Sequence, residues 1–119
     1  MIKKQTIKLI REAAMAIKQA IDNNPLSRKN IYELARDVFV GRNQLQSAFK
    51  QISEGKTVRR YRLEKRMEIA KDMLETENWT MKIVSLKCGY KKQNNFTADF
   101  RNVLGVTPSQ CIETSNNEI

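Results

Sequence analysis

The organisation of this chain follows from residues 57–77, TVRRYRLEKRMEIAKDMLETE, which predict one long helix. The stretch contains no Gly or Pro and is rich in Glu, Lys, Arg, Leu, Met and Ala, the residue types that favour helices. Its apolar residues recur at helical spacing: Val58, Tyr61, Met67, Ala70, Met73 and Leu74. A similar outline of short helix, turn and short helix lies on either side, so the long helix is predicted to join two similar units.

Three helices are predicted before the long one. Residues 6–23 form an amphipathic helix through the apolar positions Ile7, Ile10, Ala14, Ile17 and Ile21. Ser27 is the expected N-cap of a second helix, whose inner face is Ile31, Leu34, Ala35 and Val38. A third helix runs from Arg42 to about Ser53, with an inward stripe of Leu45, Ala48, Phe49 and Ile52. Gly55 follows, where a helix C-terminus favours glycine.

The same outline returns after residue 77. Thr80 is the expected N-cap of a short helix that stops near Gly89, and a further helix from Gln93 to Leu104 is closed by Gly105. Aligning Leu45 with Phe96 also aligns Phe49 with Phe100, so the chain contains a degenerate repeat of about fifty residues. A last helix opens with Thr107 as N-cap and Pro108 at its first position.

Two helices joined by a few residues that include Gly are the outline of a helix-turn-helix. We therefore predict an all-α fold of about seven helices, with two helix-turn-helix subdomains joined by a long linker helix. The expected boundaries are 1–56 for the first subdomain, 57–77 for the linker helix, 78–112 for the second subdomain and 113–119 for a flexible tail.

The charge of the chain favours an anionic partner. Its 119 residues carry a net charge of +9, and residues 1–60 hold 13 Lys and Arg against 5 Asp and Glu, whereas the remainder holds 9 against 8. Such an excess favours nucleic acid, the alternative being a lysine excess that serves solubility. The long helix would reach about 31 Å at about 1.5 Å per residue, close to the roughly 34 Å of one B-DNA turn.

Other classes of protein fit poorly. Charges interrupt the apolar residues of residues 1–21, which predicts neither a signal peptide nor a membrane span, and the two cysteines are consistent with a reducing cytoplasm. The absence of histidine argues against a zinc site, and we expect no metal and no cofactor. We can name no catalytic constellation, so we do not expect an enzyme.

The second helix of each helix-turn-helix is expected to read DNA. Arg can pair with guanine, and Asn or Gln with adenine, through two hydrogen bonds each. The base-reading candidates are Arg42, Asn43, Gln46 and Ser47 in the first unit and Gln93, Asn94 and Thr97 in the second. The expected phosphate contacts are Lys29, Lys50, Arg59, Arg60, Lys91, Lys92 and Arg101, with Arg62 a further candidate. The competing interpretation is a solvated polar face, with helix pairs such as Arg60 and Glu64.

The spacing of these residues resembles a known family. The positions Tyr61, Arg66, Met67, Ala70, Met73, Leu74, Gly89, Tyr90, Phe96, Phe100, Gly105, Thr107 and Pro108 resemble the C-terminal signature of AraC/XylS-type transcription regulators. Leu34, Ala35, Leu45 and Phe49 resemble that family's first helix-turn-helix. The resemblance implies a cytoplasmic bacterial regulator that reads two adjacent major-groove segments of double-stranded DNA. It also implies activation through RNA polymerase, by a monomer on DNA or by part of a dimer if the chain is cut from a longer regulator.

The sequence departs from the family pattern at its turn and on both reading helices. The family usually has Gly at position 39 and Ser at position 41, where this chain has Phe39 and Gly41, so we expect Gly41 to take the positive φ. Ser47 and Ala98 replace an Arg often found on each reading helix. The absence of these two arginines supports an alternative function. In that alternative, the chain is a protein-interaction module that contacts RNA polymerase or another regulator, with weak or no specific DNA binding.

Overall fold

The computed structural model describes residues 4–38 and 41–117, which contain six α-helices, one 3₁₀ helix and no β-strand. The α-helices are α1 (Lys4–Asn23), α2 (Arg42–Ile52), α3 (Val58–Thr76), α4 (Met81–Lys87), α5 (Gln93–Leu104) and α6 (Pro108–Asn117), and the 3₁₀ helix is Ile31–Val38. The chain divides into two compact units, Met1–Arg62 and Leu63–Ile119. The predicted all-α fold of about seven helices is confirmed.

The first unit packs α1, the 3₁₀ helix and α2 around a shared apolar core. The buried residues of this core are Ala13, Ala14, Ile17, Ile21, Ile31, Leu45, Phe49, Val58 and Tyr61. The predicted α1 stripe is confirmed at its later positions, but Ile7 is 55% exposed. Ile7 lies one turn before Ile10, which is the first buried position of the stripe. The first turn of α1 therefore extends beyond the apolar core.

The second helix differs from the prediction in type and in starting point. Ser27 Oγ accepts a hydrogen bond from the Lys29 amide at 3.2 Å, and Asn30 Oδ1 accepts one from the Tyr32 amide at 3.0 Å. These local bonds compete with regular helix formation, so a 3₁₀ helix starts only at residue 31. Ile31 is buried as predicted, but Leu34 is 52% exposed because it lines a surface groove. The side chains of Ala35 and Val38 lie outside the described residues.

The prediction that Gly41 has a positive φ is wrong. Gly41 is the N-cap of α2, with the extended values φ −66° and ψ 151°. Its carbonyl accepts hydrogen bonds from the amides of Gln44 and Leu45, at 3.1 and 3.3 Å. An N-cap needs this geometry because its carbonyl begins the helical ladder while its own backbone stays outside the helix. Phe39 lies outside the described residues.

The end of α2 turns the chain toward α3. Gly55 has a φ of +85° and donates its amide to the Lys50 carbonyl at 2.8 Å, as predicted for a glycine at a helix C-terminus. The Thr57 hydroxyl accepts the Arg60 amide at 3.1 Å, and the predicted long helix follows as Val58–Thr76. Near its start the Tyr61 ring meets Phe49 edge-on at 5.6 Å, so α3 begins against the core of the first unit.

The second unit has its own core, formed by the later part of α3 together with α4, α5 and α6. Its fully buried side chains include Met67, Ala70, Val84, Cys88, Phe96 and Phe100. Thr80 caps α4 as predicted, and Gly105 ends α5 with a φ of +78°. Thr107 Oγ1 accepts the Gln110 amide at 3.2 Å, and Gln110 Oε1 accepts the Thr107 amide at 2.9 Å. This reciprocal cap opens α6, which continues to Asn117, beyond residue 113 where the tail was expected to begin.

Within residues 4–38 and 41–117, no helix combines the length and the apolar character that crossing a membrane requires.

Candidate nucleic-acid interface

The outward face of α2 is polar and free of carboxylates. Arg42, Asn43, Ser47 and Lys50 are all exposed on this helix. Leu45 and Phe49, on the other side, are buried in the core of the first unit. Because residues 42–52 contain no Asp or Glu, the helix offers hydrogen-bond donors and positive charge without opposing negative charge. Four of the predicted contact residues therefore share one exposed helical surface.

Arg42 is held at the start of this surface by an aromatic ring. Its guanidinium carbon lies 4.7 Å from the centre of the half-buried Tyr32 ring. A cation over an aromatic face at this distance is attracted by the electrons of the ring. Arg42 therefore has a preferred position while its hydrogen-bond donors remain at the exposed start of α2.

Gln46 is engaged inside the protein. Its side-chain Nε2 donates to the Tyr32 hydroxyl at 2.8 Å, and its Oε1 accepts the Val58 amide at 3.3 Å. The side chain is half-buried and ties α2 both to the 3₁₀ helix and to the first residue of α3. This arrangement does not support the predicted base-reading role of Gln46. Helical periodicity alone could not reveal it, because the partners lie 14 and 12 residues away.

The basic residues around α2 differ in what they contact. Lys29 and Arg59 are exposed, whereas Arg60 is half-buried. Arg62 donates from one nitrogen to the Ser27 carbonyl and to the Lys29 carbonyl, the latter at 2.8 Å. Burial lowers the pKa of Arg62, and repulsion from a nearby arginine lowers it further. Arg62 therefore anchors the segment before the 3₁₀ helix, a structural role that the sequence analysis did not identify.

The second unit presents a comparable face on α5. The exposed candidates here are Lys91, Lys92, Gln93, Asn94 and Arg101, and Thr97 is half-buried. The acidic residue of this helix, Asp99, accepts a hydrogen bond from the Tyr90 hydroxyl at 2.6 Å. The Asp99 side chain is half-buried and held along the flank of α5. Its negative charge is thereby kept next to a donor instead of standing alone on the cationic face.

The predicted contact residues thus fall into two sets, one in each unit. In the part of the chain that the structure describes, no group of three or more His, Cys, Asp or Glu side chains could hold a metal ion. The chemistry available at both faces is hydrogen bonding and positive charge from a helix that exposes its polar side. This combination suits recognition of nucleic acid, in which base edges and phosphates are the complementary groups.

Comparisons with known proteins agree with this assignment. A family model described as a helix-turn-helix domain matches residues 34–114. Over 78 residues the chain is 35% identical to the HTH-type transcriptional regulator ArgR of Pseudomonas aeruginosa. That match covers 66% of this chain and 23% of ArgR, so the chain corresponds to less than a quarter of that relative.

Solved structures share the fold. A transcriptional regulator from Chromobacterium violaceum, of the proteins that contain an AraC-type DNA-binding domain, superposes with a TM-score of 0.72 at 24% identity. The aligned region covers 87% of this chain and 92% of that one. A DNA-binding transcriptional dual regulator from Escherichia coli K-12 gives a TM-score of 0.69 at 23% identity, with 88% and 93% covered. The family match spans more than half of the chain, and the chain therefore belongs to the AraC-type family of helix-turn-helix DNA-binding domains.

Proposed function

We propose that this chain binds double-stranded DNA sequence-specifically, with α2 and α5 in two adjacent major-groove segments, and that it activates transcription in a bacterial cytoplasm. The observation that carries the proposal is the exposed, carboxylate-free face of α2 with Arg42 held against Tyr32 at its start. A helix in the major groove reads bases with residues near its amino end. Arg42 stands at the first position of α2.

The base-reading residues we propose are polar ones in the first turns of each helix, all exposed except the half-buried Thr97. They are Arg42, Asn43 and Ser47 on α2 and Gln93, Asn94 and Thr97 on α5. Arg42 suits guanine O6 and N7, whereas Asn43, Gln93 and Asn94 suit adenine N6 and N7. Gln46 does not belong to this set, because its side chain is hydrogen-bonded to Tyr32 and Val58 and so holds α2 against the neighbouring elements.

Phosphate contacts would fix each helix in its groove. We assign them to Lys29, Lys50, Arg59, Arg60, Lys91, Lys92 and Arg101. Such contacts set position and orientation without reading sequence, and they make affinity strongly dependent on salt. Arg60 is the least accessible of the set because it is half-buried.

Reading of two segments by one chain is supported by the length of α3. This helix has 19 residues and joins the two units, which at about 1.5 Å per residue gives about 28 Å. One turn of B-DNA spans roughly 34 Å, so a helix of this length is comparable with the spacing of successive major-groove segments. The proposal is a monomer on DNA, or half of a dimer within a longer regulator, with RNA polymerase as its protein partner.

Two substitutions test the proposed contacts. Replacing Arg42 by Ala should weaken binding to a cognate duplex by about 1–3 kcal/mol and relax the preference at one base pair. Replacing Lys92 by Ala should weaken binding to all sequences alike and lower the slope of log K against log salt by about one unit. Fluorescence anisotropy with labelled duplexes over a salt series measures both effects.

The proposal fails if both variants bind a selected DNA site as tightly as the unchanged protein. Phosphate contacts are strongest at low salt. If the unchanged protein has no measurable DNA affinity even under that condition, the protein-interaction function becomes the better account.

A further inference from the structure

We propose that the first turns of α1 form a second DNA-contacting edge of the first unit. In this edge Lys4, Lys8 and Arg11 bind backbone phosphates beside the groove segment that α2 reads. The inference rests on the proposed DNA binding through α2 and extends its contact surface to a helix to which no DNA contact has been assigned above.

The three basic residues lie on one side of α1. Their spacing of four and three residues places them on one face of the helix, and all three are exposed. The core side of the same segment is Ile10, Ala13 and Ala14, so the basic face does not take part in packing. Glu12 is the nearest acidic residue in the sequence, and its spacing of four residues from Lys8 places it at the edge of the same face. The face therefore carries three basic residues against one acidic residue, a net positive charge.

This face borders the proposed reading helix. Ile7 and Arg11 line a groove together with Asn43, Gln44 and Ser47 of α2. Later in α1, Met15 and Lys18 line another groove with Ile52, the last residue of α2. This groove extends along α2 as far as Gln51, so the early turns of α1 lie beside a stretch of α2 that includes the proposed DNA contacts Asn43 and Ser47. Lys4 and Lys8 lie within one turn of Ile7, at this same end.

DNA backbone is the occupant that this geometry favours. A helix in the major groove has a sugar-phosphate strand along each side, and half or more of protein–DNA hydrogen bonds go to these strands. Lys and Arg have long flexible stems, so an exposed row at the flank of α2 can reach phosphates without entering the groove. Because Asn43 and Ser47 share the groove with Arg11, any duplex that touches them passes close to this edge.

The test is the salt dependence of binding by the triple variant Lys4→Ala, Lys8→Ala, Arg11→Ala. Alanine favours helices, so α1 should be retained, which far-ultraviolet circular dichroism checks. We expect the slope of log K against log salt to fall by about 0.9 for each lost contact, or about 2.7 for three, with the base preference unchanged. The charge-preserving variant Lys4→Arg, Lys8→Arg, Arg11→Lys should keep the slope of the unchanged protein.

Arg42→Ala on the same duplex separates this inference from the proposed function. If the triple variant has an unchanged slope while Arg42→Ala still relaxes the preference at one base pair, the α1 edge is disproved and DNA reading by α2 stands. If Arg42→Ala and Lys92→Ala are also without effect, the proposed function fails and the inference fails with it. Should the triple variant lose helicity, Lys8→Ala alone answers the question, since a slope reduced by about 0.9 supports the edge and an unchanged slope refutes it.

Discussion

At the level of single residues, the contact between Arg42 and Tyr32 bears directly on the base reading that we propose for α2. An arginine on a bare helix surface has many rotamers, and ordering them costs free energy when DNA binds. The Tyr32 ring, 4.7 Å from the guanidinium carbon, restricts that freedom before binding. Under the proposed DNA binding, Tyr32 is a positioning residue, which acts on DNA through Arg42.

We expect Tyr32→Ala to reduce the preference for the base pair that Arg42 reads by about 2–5-fold, the equivalent of a cation–π contact of about 0.5–1 kcal/mol. Tyr32→Phe keeps the ring and should preserve the preference, although it removes the hydrogen bond to Gln46. The measurement is the ratio of dissociation constants for a cognate duplex and a duplex changed at that base pair. Equal losses of preference in the two variants would show that the ring does not position Arg42.

Cys111 gives a second prediction at this scale. Its Sγ donates to Glu75 Oε1 at 3.3 Å, and the residue is buried. Burial, followed by the neighbouring Glu75 carboxylate, raises the pKa of the Cys111 thiol from 9.0 to about 11. The folded state therefore holds this proton more tightly than the unfolded state, so the thiol's contribution to stability is complete below pH 9 and is lost as the pH rises toward 11.

The free energy of unfolding should accordingly fall more steeply between pH 9 and 11 for the unchanged protein than for Cys111→Ser. Serine keeps a hydroxyl donor for Glu75 but does not titrate in this range. Urea unfolding at a series of pH values measures the difference between the two proteins. Parallel curves across this pH range would contradict the raised pKa.

At the level of helices, stability depends on helix caps and on hydrogen bonds between different elements. The caps can be recognised in the sequence more easily than the hydrogen bonds between elements. Thr107 and Pro108 were recognisable as the start of α6 because each has a direct local function there. The regular stripes Leu45/Phe49 and Phe96/Phe100 likewise predicted the buried faces of α2 and α5. These features are visible because neighbours in sequence are also neighbours on a helix.

The features that could not be predicted depend on competing local bonds or on distant partners. The side chains of Ser27 and Asn30 accept hydrogen bonds from nearby backbone amides. These bonds compete with helical ones, so the type and the first residue of the helix that follows depend on small differences in free energy between the two arrangements. Gln46 looked like an outward residue because its partners, Tyr32 and Val58, belong to other elements. Tertiary contacts of this kind leave no periodic pattern in the sequence.

The cap of α6 can be tested directly. Thr107→Ala removes the side-chain oxygen that accepts the Gln110 amide and should lower the free energy of unfolding by about 1 kcal/mol. Thr107→Ser keeps that oxygen and should restore most of the loss. Urea denaturation of the three proteins provides the comparison. If Ser is as destabilising as Ala, the hydroxyl is not the group that stabilises the start of this helix.

Gln46→Ala tests whether this side chain holds α2 to its neighbours. It removes two hydrogen bonds, at about 0.5–1.5 kcal/mol each, and should lower the free energy of unfolding by about 1–3 kcal/mol. Asn43→Ala is the matched control because Asn43 is exposed on the same helix, so its stability should change by less than about 0.5 kcal/mol. Thermal or urea unfolding distinguishes them, and equal stabilities would show that the Gln46 contacts contribute nothing.

At the level of the whole molecule, the chain consists of two compact units joined through α3, and each unit contains a similar arrangement of short helices. Leu45 and Phe49 of α2 and Phe96 and Phe100 of α5 are buried, and each of these helices exposes polar side chains on its other side. Under the proposed reading of two segments, one chain makes more base contacts than a single helix can make. Each mismatched base pair then costs about 1–3 kcal/mol, roughly additively across well-separated positions.

The most direct test of this account is selection of bound duplexes from a random DNA pool, followed by sequencing. The account predicts an enriched site with two conserved blocks whose centres lie about 10–10.5 base pairs apart, one for α2 and one for α5. Enrichment of a single block, or no enrichment over the starting pool, would contradict it.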